Sequence, residues 1–426
     1  MCLTLKRERL KIIKMKLNHT ILMCLLIFFE AACNPGKIKI GEAVVLGEVP
    51  SQILEAERTE DPFLNGLKVE MEELPGHDDL IFDASKEVGY ASGMDGWVWK
   101  LDTANGKASR WVRPPVNPAG MQYSNEKKDK ILVCASRLGG ESYGPKDRVG
   151  LYEIDIESKV VTPLVLDLPK TEKEEFEKVY TLAERVAVPL KDLNQSNSRP
   201  FSLCNDLAVS KEGNRIYISE PFERSDAAMG SGAVPEAIGL YPHGKLWMYD
   251  RKRNSISLVL GGFTFVDGIL LEEGKTKEED SVVFTETSKF RILRAFLSGA
   301  NGGKSEILFE NLPGLADGLE RDEKGRIWIG IIKRRSGLIN FVHKNPWLKS
   351  FLLSLPQAIL PVSKKTGVLV LDKDGKRVLY YSMHDGSRIT DISVAVPFER
   401  RIYFPTFDKK SKGLYSLSID KFSLGE

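Results

Sequence analysis

Val282-Val283-Phe284-Thr285, then Arg291-Ile292-Leu293-Arg294-Ala295-Phe296, then Ser305-Glu306-Ile307-Leu308-Phe309 follow one another with short connections between them. Each is rich in β-branched or aromatic residues, and apolar side chains tend to fall on alternate positions. That is the period of a strand with one face buried. The same succession recurs along the chain. Residues 88–91, 131–134, 216–219, 327–330 and 402–405 repeat the first segment. Residues 96–102, 150–155, 244–250, 367–372 and 413–417 repeat the second. Residues 109–112, 160–164, 256–260 and 378–381 repeat the third.

Six sheets of about four strands, set radially, predict an all-β, six-bladed β-propeller with short helical insertions. Beyond the first 32 residues, 394 of the 426 remain, about 66 per blade, enough for four short strands and their loops. A ring must also close. Val69-Glu70-Met71-Glu72-Glu73-Leu74 precedes the first blade and is expected to supply the outer strand of the last, tying the two ends of the chain together. The predicted organisation is a signal over 1–32, an approach segment over 33–67 and the propeller over 68–420.

Three longer gaps carry expectations of their own. Residues 171–187 are Glu/Lys-rich with apolar residues at helical spacing and read as a helical excursion from the second blade. Residues 221–241 are Gly/Ala/Pro-rich and read as a mobile loop. Residues 343–360, inside the fifth blade, are apolar and amphipathic. They read either as a helix packed on the propeller face or as a lid or membrane-touching element.

Hydrophobic residues make up 42% of the chain and charged residues 28%, a globular composition that excludes wholesale disorder. The chain has 61 basic and 59 acidic residues, net +2, but residues 1–32 alone carry +4, leaving the body at −2. Such a body has no electrostatic case for nucleic acid. At the start, a basic stretch precedes Ile21-Leu22-Met23-Cys24-Leu25-Leu26-Ile27-Phe28-Phe29, then Glu30-Ala31-Ala32-Cys33. This has the parts of an export signal. The apolar run is too short for the roughly 20 residues of a spanning helix. Ala-Ala-Cys resembles a bacterial lipoprotein cleavage box with Cys33 lipidated, although Glu30 stands where Leu or Val is usual. The expectation is an exported, membrane-anchored lipoprotein of the periplasm or cell surface, with a secreted or signal-anchored protein as the alternative. Met15 offers an alternative start. In the body only Cys134 and Cys204 remain. Export permits a bridge, but each sits in an apolar run and reads as a buried small hydrophobe.

Polar residues recur just before the first strand of several blades: Gly76-His77-Asp78-Asp79-Leu80, Cys204-Asn205-Asp206-Leu207, Val266-Asp267-Gly268-Ile269 and Ala316-Asp317-Gly318-Leu319. Innermost strands converge on the channel, so Asp78, Asn205, Asp267 and Asp317 are predicted to face one point. Repulsion among three carboxylates there would be relieved by a hard cation. Carboxylate and amide oxygens suit Ca2+, with Mg2+ or Mn2+ as substitutes. Zinc fits poorly without a His or Cys cluster. The competing reading is a turn, since Asp-Gly and Asn-Asp are common turn formers. His77, Asp79 and Asp206 adjoin the proposed site as possible supporting or substrate-contacting groups. A surface turn is the plainer role for His77.

These residues resemble the strictosidine synthase-like family, within the wider gluconolactonase/regucalcin/paraoxonase group of propellers. The likeness runs from about residue 68 to 420. It is carried by Asn205-Asp206-Leu207-Ala208-Val209, by Val266-Asp267-Gly268-Ile269 through Arg291-Ile292-Leu293-Arg294, by Leu312-Pro313-Gly314-Leu315-Ala316-Asp317-Gly318, and by the insertion containing Asn345-Pro346-Trp347. The resemblance implies a central divalent cation, usually calcium, at Asp78, Asn205, Asp267 and Asp317. Asp78 stands where Glu is usual, and Asp267 where Asn is usual. It also implies a hydrolase that opens lactones or cleaves esters, with the cation polarising the reacting oxygen and Asp317 as nucleophile or water-positioning carboxylate. The paraoxonase histidine pair has no counterpart here. Strictosidine synthesis uses one glutamate near the last blade, and residues 390–396 offer only Asp391. The expected partner is a small lactone or ester, with contact to a membrane surface through the N-terminal lipid or anchor. A non-catalytic binding propeller with a structural cation is the rival.

Overall fold

The computed structural model describes residues 43–171, 175–274, 280–355 and 362–424. Cys33 and the apolar run before it lie outside the described residues. Six four-stranded antiparallel sheets form the body, and the third carries further edge pairings. Blade one is His77–Asp83, Val88–Gly93, Val98–Asp102 and Lys107–Val112. Blade two is Asn117–Tyr123, Lys130–Ser136, Gly150–Asp155 and Val161–Val165. Blade three is Leu207–Val209, Arg215–Glu220, Gly244–Asp250 and Ser255–Phe263. Blade four is Val266–Glu272, Ser281–Glu286, Arg291–Phe296 and Ser305–Phe309. Blade five is Gly314–Arg321, Ile327–Arg334, Thr366–Leu371 and Val378–His384.

Blade six joins the two ends of the body. Val396–Phe398, Arg401–Phe404 and Lys412–Ser418 are completed by Lys68–Pro75, paired Lys68 with Ser416, Val69 with Tyr415 and Glu70 with Leu414. The closing strand is the one the sequence predicts.

Apolar clusters seal the seams between blades. Ile81, Tyr90 and Val98 of blade one meet Met121, Ile131 and Val133 of blade two. Tyr217 and Leu246 of blade three meet Phe284 and Leu293 of blade four. One strand serves two seams: Ile327 and Ile329 face blade four, while Trp328 between them packs with Ile402, Phe404 and Leu417 of blade six. Burial on both faces explains why the second strands read as nearly continuous apolar runs.

Three expectations are corrected. The described part of 171–187 contains no helix. Its Lys178–Val179 pairs with Gly261 and Leu260, and Val188–Pro189 with Ile256 and Ser255, so this stretch straps the outer edge of blade three. Glu177 pins the strap to Lys289 and Arg291 of blade four, at 2.9 and 2.5 Å. Those long-range partners outweigh a weak helical spacing. Residues 221–241 form no open loop. They carry the short helix Val234–Gly239 and bury Phe222, Met229, Ile238 and Leu240. Cys134 and Cys204, read as isolated hydrophobes, are bonded to each other across 70 residues, with Cα atoms 5.0 Å apart. The bond links the second strand of blade two to the lead-in of blade three.

The described part of the fifth-blade insertion, which leaves out residues 356–361, forms the helices Gly337–Lys344 and Pro346–Ser354, both in contact with Val234–Gly239. Ser336 caps the first, its Oγ accepting from Ile339 N at 3.2 Å. Pro346 opens the second, where a missing N–H costs nothing.

Candidate active site

Blades one, two, four and five share an irregularity at the axis. The inner strand slips against the second strand between His77 and Leu80, Pro118 and Met121, Val266 and Ile269, and Ala316 and Leu319. The Asp-Gly and Asp-Asp pairs predicted as ligands, or alternatively as turns, are therefore bulges inside strands. The first bulge residue in blades one, four and five, Asp78, Asp267 and Asp317, lines one small axial cavity of about 30 Å³ together with Asn205. That is room for a water molecule or an ion.

The second bulge residue meets the next blade. A Cβ on Gly268 would lie 2.2 Å from the Asp317 carbonyl oxygen, and one on Gly318 would lie 2.7 Å from Val394 Cβ, so neither position accepts a side chain. Where the position holds an aspartate, the carboxylate takes over the bridging. Asp79 accepts from Leu80 N and, in blade two, from Met121 N, both at 2.7 Å. Asp206 does the same with Leu207 N at 2.7 Å and blade-four Ile269 N at 2.8 Å. Further bonds complete a ring. Gly120 N donates to Asn205 O at 2.8 Å, Thr285 Oγ1 to Asp317 O at 3.0 Å, Gly318 N to Ser393 O at 2.8 Å and Ser393 Oγ to Asp78 O at 2.5 Å. Every blade is thus bonded to the next at the axis.

The carboxyl groups there are poorly compensated. Burial pushes Asp78 well above the usual carboxylate range, with Asp79 and Asp267 adding repulsion. Burial likewise raises Asp317 strongly, with Asp267 the next cause, and raises Asp267 itself. The Asn205 amide nitrogen donates to Asp267. Deeper along the axis, burial raises Asp79 to about 7 and Glu320 to about 8. Among the described residues no lysine or arginine pairs with Asp78, Asp267 or Asp317. No three His, Cys, Asp or Glu side chains among them already form a tight metal cluster. The donor set is three carboxylates and an amide, all oxygen and short of positive charge. That chemistry fits a hard divalent cation and does not fit zinc.

The axial cavity opens at one end into a chamber of about 310 Å³, and Asn205, Asp267 and Asp317 line both. The chamber walls are mostly apolar, including Phe265, Phe290, Ile339, Val342, Leu352 and Phe407. At the other end Gln122 and Glu320 are shared with a second cleft, of about 380 Å³.

Not every predicted residue lies at the site. His77 is fully buried and forms no surface turn. Its Nδ1 meets Pro75 O at 2.9 Å, burial lowers its pKa to about 4, and it does not line the axial cavity. Asp79 and Asp206 do line the cavity, while their carboxylates are engaged in bridging blades. Asp391 forms an ion pair with Lys333 of the chamber wall. Sequence reasoning missed Glu320, Thr285 and Thr287. Thr287 Oγ1 donates to Ala316 O at 2.7 Å and lies 3.3 Å from Asp267 Oδ2. Glu320 lies one residue beyond the bulge, a place visible only once the slip at Ala316–Leu319 is known.

No protein-family profile matches the chain. It is 25% identical over 344 residues to the adipocyte plasma membrane-associated protein of Danio rerio, covering 79% of this chain and 74% of that one. It is 27% identical over 171 residues to the Arabidopsis thaliana protein strictosidine synthase-like 10, covering 40% of this chain and 43% of that one. Over most such relatives the match spans about half their length, as with the human adipocyte plasma membrane-associated protein at 52%. A crystal structure described as a candidate gluconolactonase superposes with a TM-score of 0.51 at 13% identity, covering 84% of this chain and 96% of that one. In sequence the chain is similar to strictosidine synthase-like and adipocyte plasma membrane-associated proteins, and in fold it is a six-bladed propeller, similar to that crystal structure.

Proposed function

We propose that this protein is a cation-dependent hydrolase of lactones or esters. One observation carries the reading. Asp78, Asn205, Asp267 and Asp317, from four different blades, line one charge-starved cavity at the floor of an apolar chamber. These four would hold the cation, with calcium the best match to an all-oxygen set and Mg2+ or Mn2+ as substitutes. When bound, the cation would polarise a carbonyl oxygen and offset the charge that develops on it.

The chain's own residues do the rest. Asn205 holds Asp267 in place through its amide nitrogen. Thr285 and Thr287 fix the backbone of Ala316 and Asp317 from the neighbouring blade. Asp317 reaches into the chamber and activates attack, as nucleophile or by positioning water. The apolar walls exclude water and take up the substrate's hydrocarbon part. The Lys333–Asp391 ion pair occupies the stretch where an amine–aldehyde condensing enzyme would carry a glutamate, which speaks against that chemistry.

A rival reading has its own support. The axial residues are also members of the inter-blade ring, so a cation there would rigidify the propeller even without catalysis. Metal analysis of the purified protein, then a panel of lactones and aryl esters with and without chelator, separates the two. Hydrolysis lost on chelation and restored by calcium supports the enzyme. Calcium-dependent melting with no turnover of any panel member supports the binding propeller.

A further inference from the structure

The fifth-blade insertion is charged on one plan throughout. From Ile331 to Lys365 the sequence holds Lys333, Arg334, Arg335, Lys344, Lys349, Lys364 and Lys365, and no Asp or Glu. The body as a whole is net negative, so this stretch is a local reversal of charge. Its helices are apolar on the outside as well as the inside. Ile339, Val342 and Leu352 face the chamber. Leu338 and Phe341, one turn apart on the first helix, are 43% and 54% exposed, and Trp347 at the start of the second is 65% exposed. A helix that is apolar on both faces is a poor match for bulk water.

Two further observations bear on what could cover this face. Leu338 and Val362 line the chamber and are also exposed, so the chamber reaches the surface among these residues. The N-terminal approach segment docks on the same elements. Val44 N donates to His343 O at 2.9 Å, and Arg335 Nη2 donates to Gly47 O at 2.9 Å. Val45 beside them is itself exposed. From Val44 the sequence runs back through Cys33 to the apolar run ending at Phe29, a tether of at most about 50 Å when fully extended.

We propose that the insertion is a docking surface for an anionic lipid bilayer, with Leu338, Phe341 and Trp347 entering the headgroup region and Lys344 and Lys364 pairing with lipid phosphates. Apolar side chains beside lysines on short helices are the composition that lies in a bilayer interface. The chamber mouth then opens onto the lipid. This rests on exposure and charge and does not depend on the reaction proposed above.

The test uses the full chain and phosphatidylcholine vesicles with and without phosphatidylglycerol, some carrying brominated acyl chains. The expected result is that brominated lipid quenches the wild type more than Trp347→Phe. Phe341→Ser with Trp347→Ser should weaken vesicle partition roughly tenfold. Lys344→Glu with Lys364→Glu should abolish the preference for anionic vesicles. All these side chains are exposed, so the variants keep the fold, checked by unchanged circular dichroism. Equal quenching of wild type and Trp347→Phe with unchanged partition would overturn the proposal and leave the N-terminal segment as the sole contact. A dimer in sedimentation that Phe341→Ser abolishes would overturn it too, placing a second copy of the chain on this face.

Discussion

The axis and the roof of this propeller are built on opposite principles. At the axis, each blade gives or takes a hydrogen bond at 2.5–3.0 Å with the next, and Gly268 and Gly318 are packed so closely that no side chain fits. The roof is three short helices, Val234–Gly239, Gly337–Lys344 and Pro346–Ser354, inserted between strands and packed mainly on one another. The difference teaches where each task is placed. The oxygens proposed to hold a cation sit where the fold is most over-determined, as preorganised chemistry would require. The chamber takes Ile339, Val342 and Leu352 from an insertion that the ring does not constrain, beside Phe265, Phe290 and Phe407 from the ring's own connections.

Four experiments break or sharpen that contrast, in order of expected size. Asp317→Asn should cut kcat on the best aryl ester by roughly 10²–10⁴-fold with unchanged circular dichroism, since the change removes one charge and no volume. An unaltered rate would move the chemistry off the axis. Cys134→Ala with Cys204→Ala opens a 70-residue loop beside Asn205 and should cost about 2–4 kcal/mol in urea unfolding. Gly268→Ala forces a Cβ against the Asp317 carbonyl and should cost about 1–3 kcal/mol, with a parallel loss of activity, whereas Gly337→Ala on the roof meets open space and should cost neither.

The smallest effect concerns pH. Asp79 and Glu320 have folded pKa values raised to about 7 and about 8, so their protonated forms favour the fold. That contribution is complete below the ordinary carboxylate range, near pH 4, and is lost as pH rises from there through 7 and 8. The melting temperature of metal-free protein should therefore still be falling between pH 7 and 8, by roughly 2 °C, and level off above. Saturating calcium should flatten the slope, and a slope identical with and without calcium would detach these groups from any axial cation.

Much of this was legible in the sequence. Alternating apolar residues gave the strands, and their recurrence gave the number of blades. The unmatched segment 69–74 pointed to the closing strand now seen as Lys68–Pro75. The axial residues were legible because Asp-Gly and Asn-Asp recur at one point of each repeat. What stayed hidden depends on partners far along the chain. Glu177 gives no sign in its own neighbourhood that it will meet Lys289 and Arg291, so local spacing suggested a helix. The Cys134–Cys204 bond needs two blades side by side before the two sulfurs are neighbours. His77 looked like a turn residue because its burial comes from blade six, where its N–H donates to Thr406 O at 2.9 Å.

The sheet that closes the ring pairs Val69 with Tyr415. On the ribosome those residues are synthesised first and last within the propeller. The circle therefore stays an open horseshoe until translation is nearly finished, and Ser393 cannot reach back to Asp78 before then. A chain that ends early lacks a whole seam as well as a strand, and its blade-one flank, with Leu80 and Trp99, is left bare. Premature stops near the C-terminus should thus yield insoluble protein rather than a shortened but working one.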